Sequence, residues 1–415
     1  MDFDFLIKKI EKEAQFLPQN ALLKKLFLLL ENEIYGEIKF NRLPFCIVPE
    51  GIDHFRNEKD KLKIKKAECL SCKLNLWCNG FYPEYSGIIS HVPDLPKEII
   101  IEVTDKCNAK CEYCFNDLEY KLNGRNRRKE MNAKEIKQII AKIKDFGVNY
   151  IRFSGGEPLL RKDIFQLMRY AKSLKMKVWL NTNGTLVNEK NSKIILKYAS
   201  NILMPLNGYD EESDSRVTKI KGSFRLKMRA ISLLRNVQVI RCGIVLTKQN
   251  AENLEAFYKI AEKNKITFIE FYRPIVQSEK KAYLKKAIDA IYQLNLKHGK
   301  NYKVANAFPF CFYKPEITSR IALGGIYDDG YSRMVISSNG EIKPSYYFMQ
   351  TFGNVKKDSF YSIWNNDLFK KLRNLDFTPK KCKECSYILT CRAASRSLAL
   401  LNGNISGRDP LMPDF

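Results

Sequence analysis

The stretch "EIIIEVTDKCNAKCEYCFN", residues 98–116, sets an apolar run of strand length directly before three cysteines, Cys107, Cys111 and Cys114. A short apolar run bounded by polar residues is a candidate buried strand. From there the chain alternates strand and helix patterns. "MNAKEIKQIIAKIKDFG" (131–147) has helical periodicity, with Asn132 at its N-cap, Glu135 closing a capping box and Gly147 ending it. "YIRFS" (150–154), "KVWLNTN" (177–183), "NILMPLN" (201–207), "VIRCGIVLT" (239–247) and "ITFIEFYRP" (266–274) continue the strand series, with helical stretches between them. Six such repeats predict an α/β fold with parallel strands, doubly wound or curled into a partial barrel. In both arrangements chemistry sits at the carboxyl ends of the strands. The cysteine loop, "SGGEP" (154–158), "NTNG" (181–184) and "LNGYD" (206–210) then converge on one face.

The 415 residues exceed one ordinary core, and 45% hydrophobic with 28% charged residues is the balance of a globular protein. The opening "MDFDFLIKKIEKEAQFL" carries charges through its apolar positions, unlike an export signal or a membrane span. A cytoplasmic location is expected. Twelve cysteines in such a compartment do not suggest a disulfide framework. Only Cys242 stands alone, as a buried small hydrophobe. The net charge of +25 could draw a polyanion, but its basic residues are scattered along the chain. Boundaries fall near 95 and 300. They give a helical, cysteine-rich module (1–95), the strand–helix repeats (96–300) and a second cysteine-bearing module (301–415).

Closed zinc sites take four protein ligands, whereas C-x3-C-x2-C supplies three with no nearby His or fourth Cys. Three thiolates on a [4Fe–4S] cluster leave one iron open. With Tyr113 before its last cysteine, on the loop after the first strand, the motif resembles that of the radical S-adenosylmethionine (radical SAM) superfamily. The resemblance spans roughly residues 97–275. It implies a partial (β/α)6 barrel, a cluster on Cys107, Cys111 and Cys114, and S-adenosylmethionine chelated to the fourth iron. Reductive cleavage would give a 5'-deoxyadenosyl radical that abstracts hydrogen from a substrate. Gly155, Gly156 and Glu157 match the family's "GGE" motif, whose implied partner is the methionyl amine. Asn181, Asn183 and Asn250 stand where the family contacts the nucleoside. "SDSRVTKIKGSF" (213–224) keeps Gly222, Ser223 and Phe224, with Arg216 displaced from the family's arginine position.

Cys382, Cys385 and Cys391, spaced C-x2-C-x5-C, lie in segments that resemble the SPASM extension of peptide-modifying radical enzymes. Where that extension usually carries cysteines, this chain has Ser345, Ser395 and Met412. One auxiliary cluster is therefore expected to be missing and one retained, its fourth ligand being Cys311, Met412 or an exogenous group. Cys69, Cys72 and Cys78 repeat the same spacing, with Cys46 upstream, and suit a further [4Fe–4S] cluster or zinc. The implied enzyme needs a reducing electron donor and acts on a substrate for which a peptide or protein is one class. An RNA-modifying enzyme, or an iron–sulfur carrier or sensor without substrate chemistry, are the alternatives. The second lacks a reason for the "GGEP" turn.

Overall fold

The computed structural model describes residues 95–115, 129–275 and 282–414. Cys46, Cys69, Cys72 and Cys78, expected to form an amino-terminal cluster or zinc site, lie outside the described residues.

Strands β1 (Glu98–Glu102), β2 (Tyr150–Ser154), β3 (Lys177–Asn181), β4 (Ala199–Pro205), β5 (Val239–Val245) and β6 (Phe268–Tyr272) pair in parallel and in chain order. Helices α1 (Ala133–Asp145), α2 (Ile164–Ser173), α3 (Glu189–Tyr198), α4 (Glu211–Thr218), α5 (Ser223–Leu233), α6 (Lys248–Glu252) and α7 (Leu254–Lys263) connect them. The predicted start of α1 holds in detail. Asn132 accepts from Glu135 N–H at 3.0 Å, and Glu135 accepts from Asn132 N–H at 2.8 Å. Its Ile136, Ile139, Ile140 and Ile143 are buried on one stripe, as spacing of three and four requires.

Alternation along the strands divides the sheet into two unlike faces. Ile99, Ile101, Ile151, Phe153, Val178, Leu180, Ile240, Ile244, Ile269 and Phe271 join the hydrophobic core under the helices. The opposite parity carries Glu98, Arg152, Trp179, Arg241 and Glu270. Arg152 meets Glu98 at 2.8 Å and lies 4.6 Å above the Trp179 ring, while Arg241 pairs with Glu270. Burial alone would push the Glu98 carboxyl up, but Arg152 and Arg333 outweigh it and hold the group below its usual range.

Side chains from separate strands meet on this face: Arg152 of β2 and Arg241 of β5 both lie over the Trp179 ring of β3, at 4.6 and 5.8 Å. The sheet curls as a partial barrel, with the ionic face inside. After helix α8 (Ala282–His298), strand β7 (Lys303–Val304) extends the β6 side. Strand β8 (Arg333–Ile336) pairs in parallel with β1 on the other side, Glu98 opposite Arg333, and β9 (Ile342–Lys343) runs antiparallel to β8. The segment beyond residue 300 thus completes the sheet that carries the cysteine loop.

Candidate cluster and cofactor site

The cysteine loop leaves β1 and is fastened to the next three strand ends. Gly156 N–H donates to Thr104 O at 2.7 Å and Glu157 N–H to Lys106 O at 2.8 Å, prolonging the β1–β2 ladder. A Cβ on Gly155, whose φ is +126°, would lie 2.3 Å from Thr104 O, and one on Gly156 would lie 2.2 Å from Lys106 O. Both glycines are therefore required where the two loops touch. From the third strand end, Asn183 Nδ2 donates to Asn108 Oδ1 at 2.8 Å and lies 3.9 Å from Cys107 Sγ. From the fourth, Asn207 accepts from Tyr113 Oη at 2.9 Å. Lys110 N–H donates to Thr218 O at 3.0 Å, at the end of α4.

Cys107 is exposed, with Cys111 and Cys114 half-buried beside it. Burial, reinforced by the charge of Cys114, pushes the Cys111 thiol up to about 12. Burial also raises the Cys107 thiol, against the Ala109 N–H that donates to its sulfur at 3.4 Å. A thiol with such a pKa ionises readily only when a cation compensates it. Among the described residues, no three His, Cys, Asp or Glu side chains gather round one point as a single ion requires. A cube takes its three thiolates on three separate irons, so the fit of this loop to a [4Fe–4S] cluster rests on its donor set and on its N–H···S bond.

Glu157, expected from the sequence to meet the cofactor amine, is held within the fold. It has no exposed surface. Its oxygens accept from Asn183 N–H at 2.7 Å, Thr182 Oγ1 at 2.8 Å and Leu159 N–H at 3.0 Å. The group is used to hold the second and third strand ends together. Asn250 is likewise buried, its amide donating to Asn207 O at 3.1 Å and Val245 O at 3.0 Å. Arg216 is exposed and donates to Gln249. Asn181 is half-buried at the end of β3, accepting from Arg152 at 3.1 Å.

Two features escaped the sequence reading. Asp214 and Lys227 form a fully buried ion pair at 2.8 Å, and Asp214 also accepts from Asn207 N–H at 2.9 Å and Ser223 Oγ at 2.5 Å. This network ties "GSF" to the fourth strand end. The second feature is Tyr346, which the carboxyl-terminal segment brings to the barrel mouth. Its hydroxyl accepts from Asn181 Nδ2 at 3.3 Å, and its ring lies 5.0 Å from that of Phe115.

In the carboxyl-terminal segment, Ser345 donates to Asp329 at 3.0 Å, and Asp329 also accepts from Arg396 N–H at 2.6 Å. Ser395 bonds to Ser397 at 2.7 Å, and its N–H donates to Asp409 at 2.9 Å. Asp409 meets Arg273 through two bonds of 2.8 Å, both side chains essentially buried. Met412 is buried in the turn that follows, its N–H donating to Asp409 O at 2.9 Å.

A curled parallel sheet with a three-cysteine loop at its strand ends is the framework of a cluster-bearing α/β enzyme. The radical SAM superfamily model matches residues 101–263, and the SPASM iron–sulfur cluster-binding domain model matches 328–386. Fe-coproporphyrin III synthase of Methanosarcina barkeri is 26% identical, over 78% of this chain and 90% of its own. The mycofactocin maturase MftC of Mycolicibacterium smegmatis is 25% identical, over 76% of this chain and 82% of its own. Among solved structures, Streptococcus suis SuiB bound to the precursor peptide SuiA superposes with a TM-score of 0.62 at 22% identity, covering 77% of this chain and 76% of that one. The chain belongs to the radical SAM superfamily and ends in a SPASM-like region. Its fold is that family's partial barrel, and its cofactors are a [4Fe–4S] cluster, S-adenosylmethionine and auxiliary iron–sulfur clusters. Among the described residues, no helix is long and apolar enough to cross a membrane.

Proposed function

We propose that this enzyme binds its catalytic cluster on Cys107, Cys111 and Cys114 and uses it to abstract hydrogen from a peptide or protein. The observation that carries the reading is the lacing of the cysteine loop to Gly156, Asn183 and Asn207 at successive strand ends. Bound there, cluster and S-adenosylmethionine would supply reductive sulfonium cleavage and so the means of hydrogen abstraction. The chain's own residues hold that chemistry in register. Gly155 and Gly156 let the two loops touch, leaving main-chain carbonyls of this turn to meet the methionyl ammonium. Glu157 fixes Asn183, and Asn181 and Asn183 stand ready for the ribose. Arg216, exposed at the end of α4, is the cation offered to the methionyl carboxylate. Asn250 acts through Asn207, keeping the fourth strand end in place.

The peptide class is supported by MftC and by SuiB, whose structure holds a precursor peptide. The test is anaerobic. The reconstituted, reduced protein should release 5'-deoxyadenosine from S-adenosylmethionine, and the Cys107/Cys111/Cys114→Ala variant should release none. Release by that variant would sink the assignment. Capture of bound partners on this inactive variant, read by mass spectrometry, should return a peptide. Recovery of a porphyrin or an RNA instead would overturn the substrate class.

A further inference from the structure

Helix α5 buries Ser223, Lys227, Ala230 and Ile231 along one stripe, so a lysine stands where the spacing calls for an apolar side chain. Its Nζ lies 2.8 and 2.9 Å from the two oxygens of Asp214 on α4, and neither side chain has any exposed surface. Taking both charges out of water is costly, and a well-packed apolar pair of similar volume is often as stable or more so. Stability alone therefore does not account for this pair.

The other bonds of Asp214 lead to the cysteine loop by two arms. One oxygen accepts from Asn207 N–H at 2.9 Å, and Asn207 Oδ1 accepts the Tyr113 hydroxyl at 2.9 Å. The other oxygen accepts from Ser223 Oγ at 2.5 Å, and Ser223 Oγ accepts from Thr218 Oγ1 at 3.0 Å. Thr218 O then receives Lys110 N–H at 3.0 Å. Asn207, Thr218 and Ser223 are buried as well, so water does not compete for these bonds. The arms end at Lys110 and Tyr113, on the two sides of Cys111.

We propose that Asp214 and Lys227 are positioning residues for the catalytic cluster, fixing the Cys111 segment from both flanks and thereby setting how tightly S-adenosylmethionine is held. Lys227 supplies no ligand. Its ammonium keeps the Asp214 carboxylate in place, and Asp214 delivers that constraint to the loop. The inference rests on the proposal that Cys107, Cys111 and Cys114 carry the cluster.

The test uses full-length protein reconstituted anaerobically. Lys227→Met alone would leave a buried charge without its partner, so the two residues are replaced together. Asp214→Asn/Lys227→Met removes both charges with little change in volume, and Tyr113→Phe/Ser223→Ala cuts both arms while leaving the pair whole. Hydrogen exchange read by mass spectrometry should quicken over residues 107–115 in each variant and stay parental over α1. Each should bind S-adenosylmethionine about 3- to 10-fold more weakly. The cofactor-induced shift in the cluster's paramagnetic spectrum should change with it. All four substitutions together should lose less affinity than the sum of the two losses, because both variants break one set of bonds.

Parental exchange, affinity and spectrum in the folded charge-neutral variant overturn the proposal, and the pair then only joins α4 to α5. Strictly additive losses also overturn it, since the pair would then act by another route. If the charge-neutral variant does not fold, the Tyr113→Phe/Ser223→Ala variant decides, and parental affinity and spectrum there overturn the proposal. A Cys107/Cys111/Cys114→Ala variant that keeps the parental response to S-adenosylmethionine overturns the cluster reading, and this inference with it.

Discussion

The carboxylate of Glu157 accepts the main-chain N–H of Asn183 at 2.7 Å across the gap between the second and third strand ends. Through this bond, the acid of "GGE" governs where Asn183 stands, and Asn183 in turn reaches the cysteine loop. Glu157→Ala strands three donors in a buried setting, which should cost about 2–4 kcal/mol of stability. Cofactor affinity should fall with it, as the Asn183 loop loosens. Equilibrium binding and denaturation on the same sample check the pairing of the two losses. Weakened binding at parental stability would mean that the carboxylate meets the cofactor itself.

Tyr346 offers a cleaner single-atom test. Tyr346→Phe removes the hydroxyl to which Asn181 donates and leaves the ring beside Phe115. S-adenosylmethionine should bind about 3- to 10-fold more weakly, the worth of one net hydrogen bond. The cofactor-induced shift in the cluster's paramagnetic spectrum should shrink as well. If affinity and spectrum are both unmoved, Tyr346 only packs.

Arg273 and Asp409 test the serine-bearing half of the carboxyl-terminal region. Arg273→Leu leaves the Asp409 charge buried without its partner, and removing one member of such a pair costs about 3–5 kcal/mol. Iron per folded chain should not change, because neither side chain hydrogen-bonds to a cysteine. A loss of iron in protein that remains folded would show a cluster in the serine half.

Asp328 predicts a dependence on pH. Burial lifts its carboxyl to about 6, against the opposing pull of Arg333. A carboxyl whose folded pKa lies above its unfolded value binds its proton more tightly in the folded state. Its stabilising contribution is complete below about pH 4 and is lost as pH rises through 6. Asp328→Asn still accepts from Ala307 N–H, a bond of 2.7 Å in the parent. Between pH 4.5 and 7 the parent should therefore lose about 2 kcal/mol relative to the variant. Parallel stability curves would show that Asp328 is ionised throughout.

Strand positions, the cap of α1 and the convergence of four loops were all legible because each depends on neighbours in sequence. The ionic face inside the barrel was not. Arg152, Arg241 and Glu270 sit singly within apolar runs, and each finds its partner on another strand. The partners of Glu157 were not legible for a similar reason. Two of its donors, Thr182 and Asn183, come from the third strand end, which the motif itself does not contain. Tyr346 lies far along the chain from Asn181, and no periodicity or spacing joins them.

The pairing of β8 with β1 also bears on how the chain is made. A ribosome delivers β1 and its cysteine loop more than two hundred residues before the strand that covers their flank. Until then β1 has one open edge, and Glu98 lacks Arg333, its partner at 3.2 Å. An exposed parallel edge invites pairing with another chain. The nascent protein thus carries the three thiols of this loop beside a strand with an open edge for about half of its synthesis. Chaperone occupancy and the timing of iron delivery become part of the requirement for a correctly assembled enzyme.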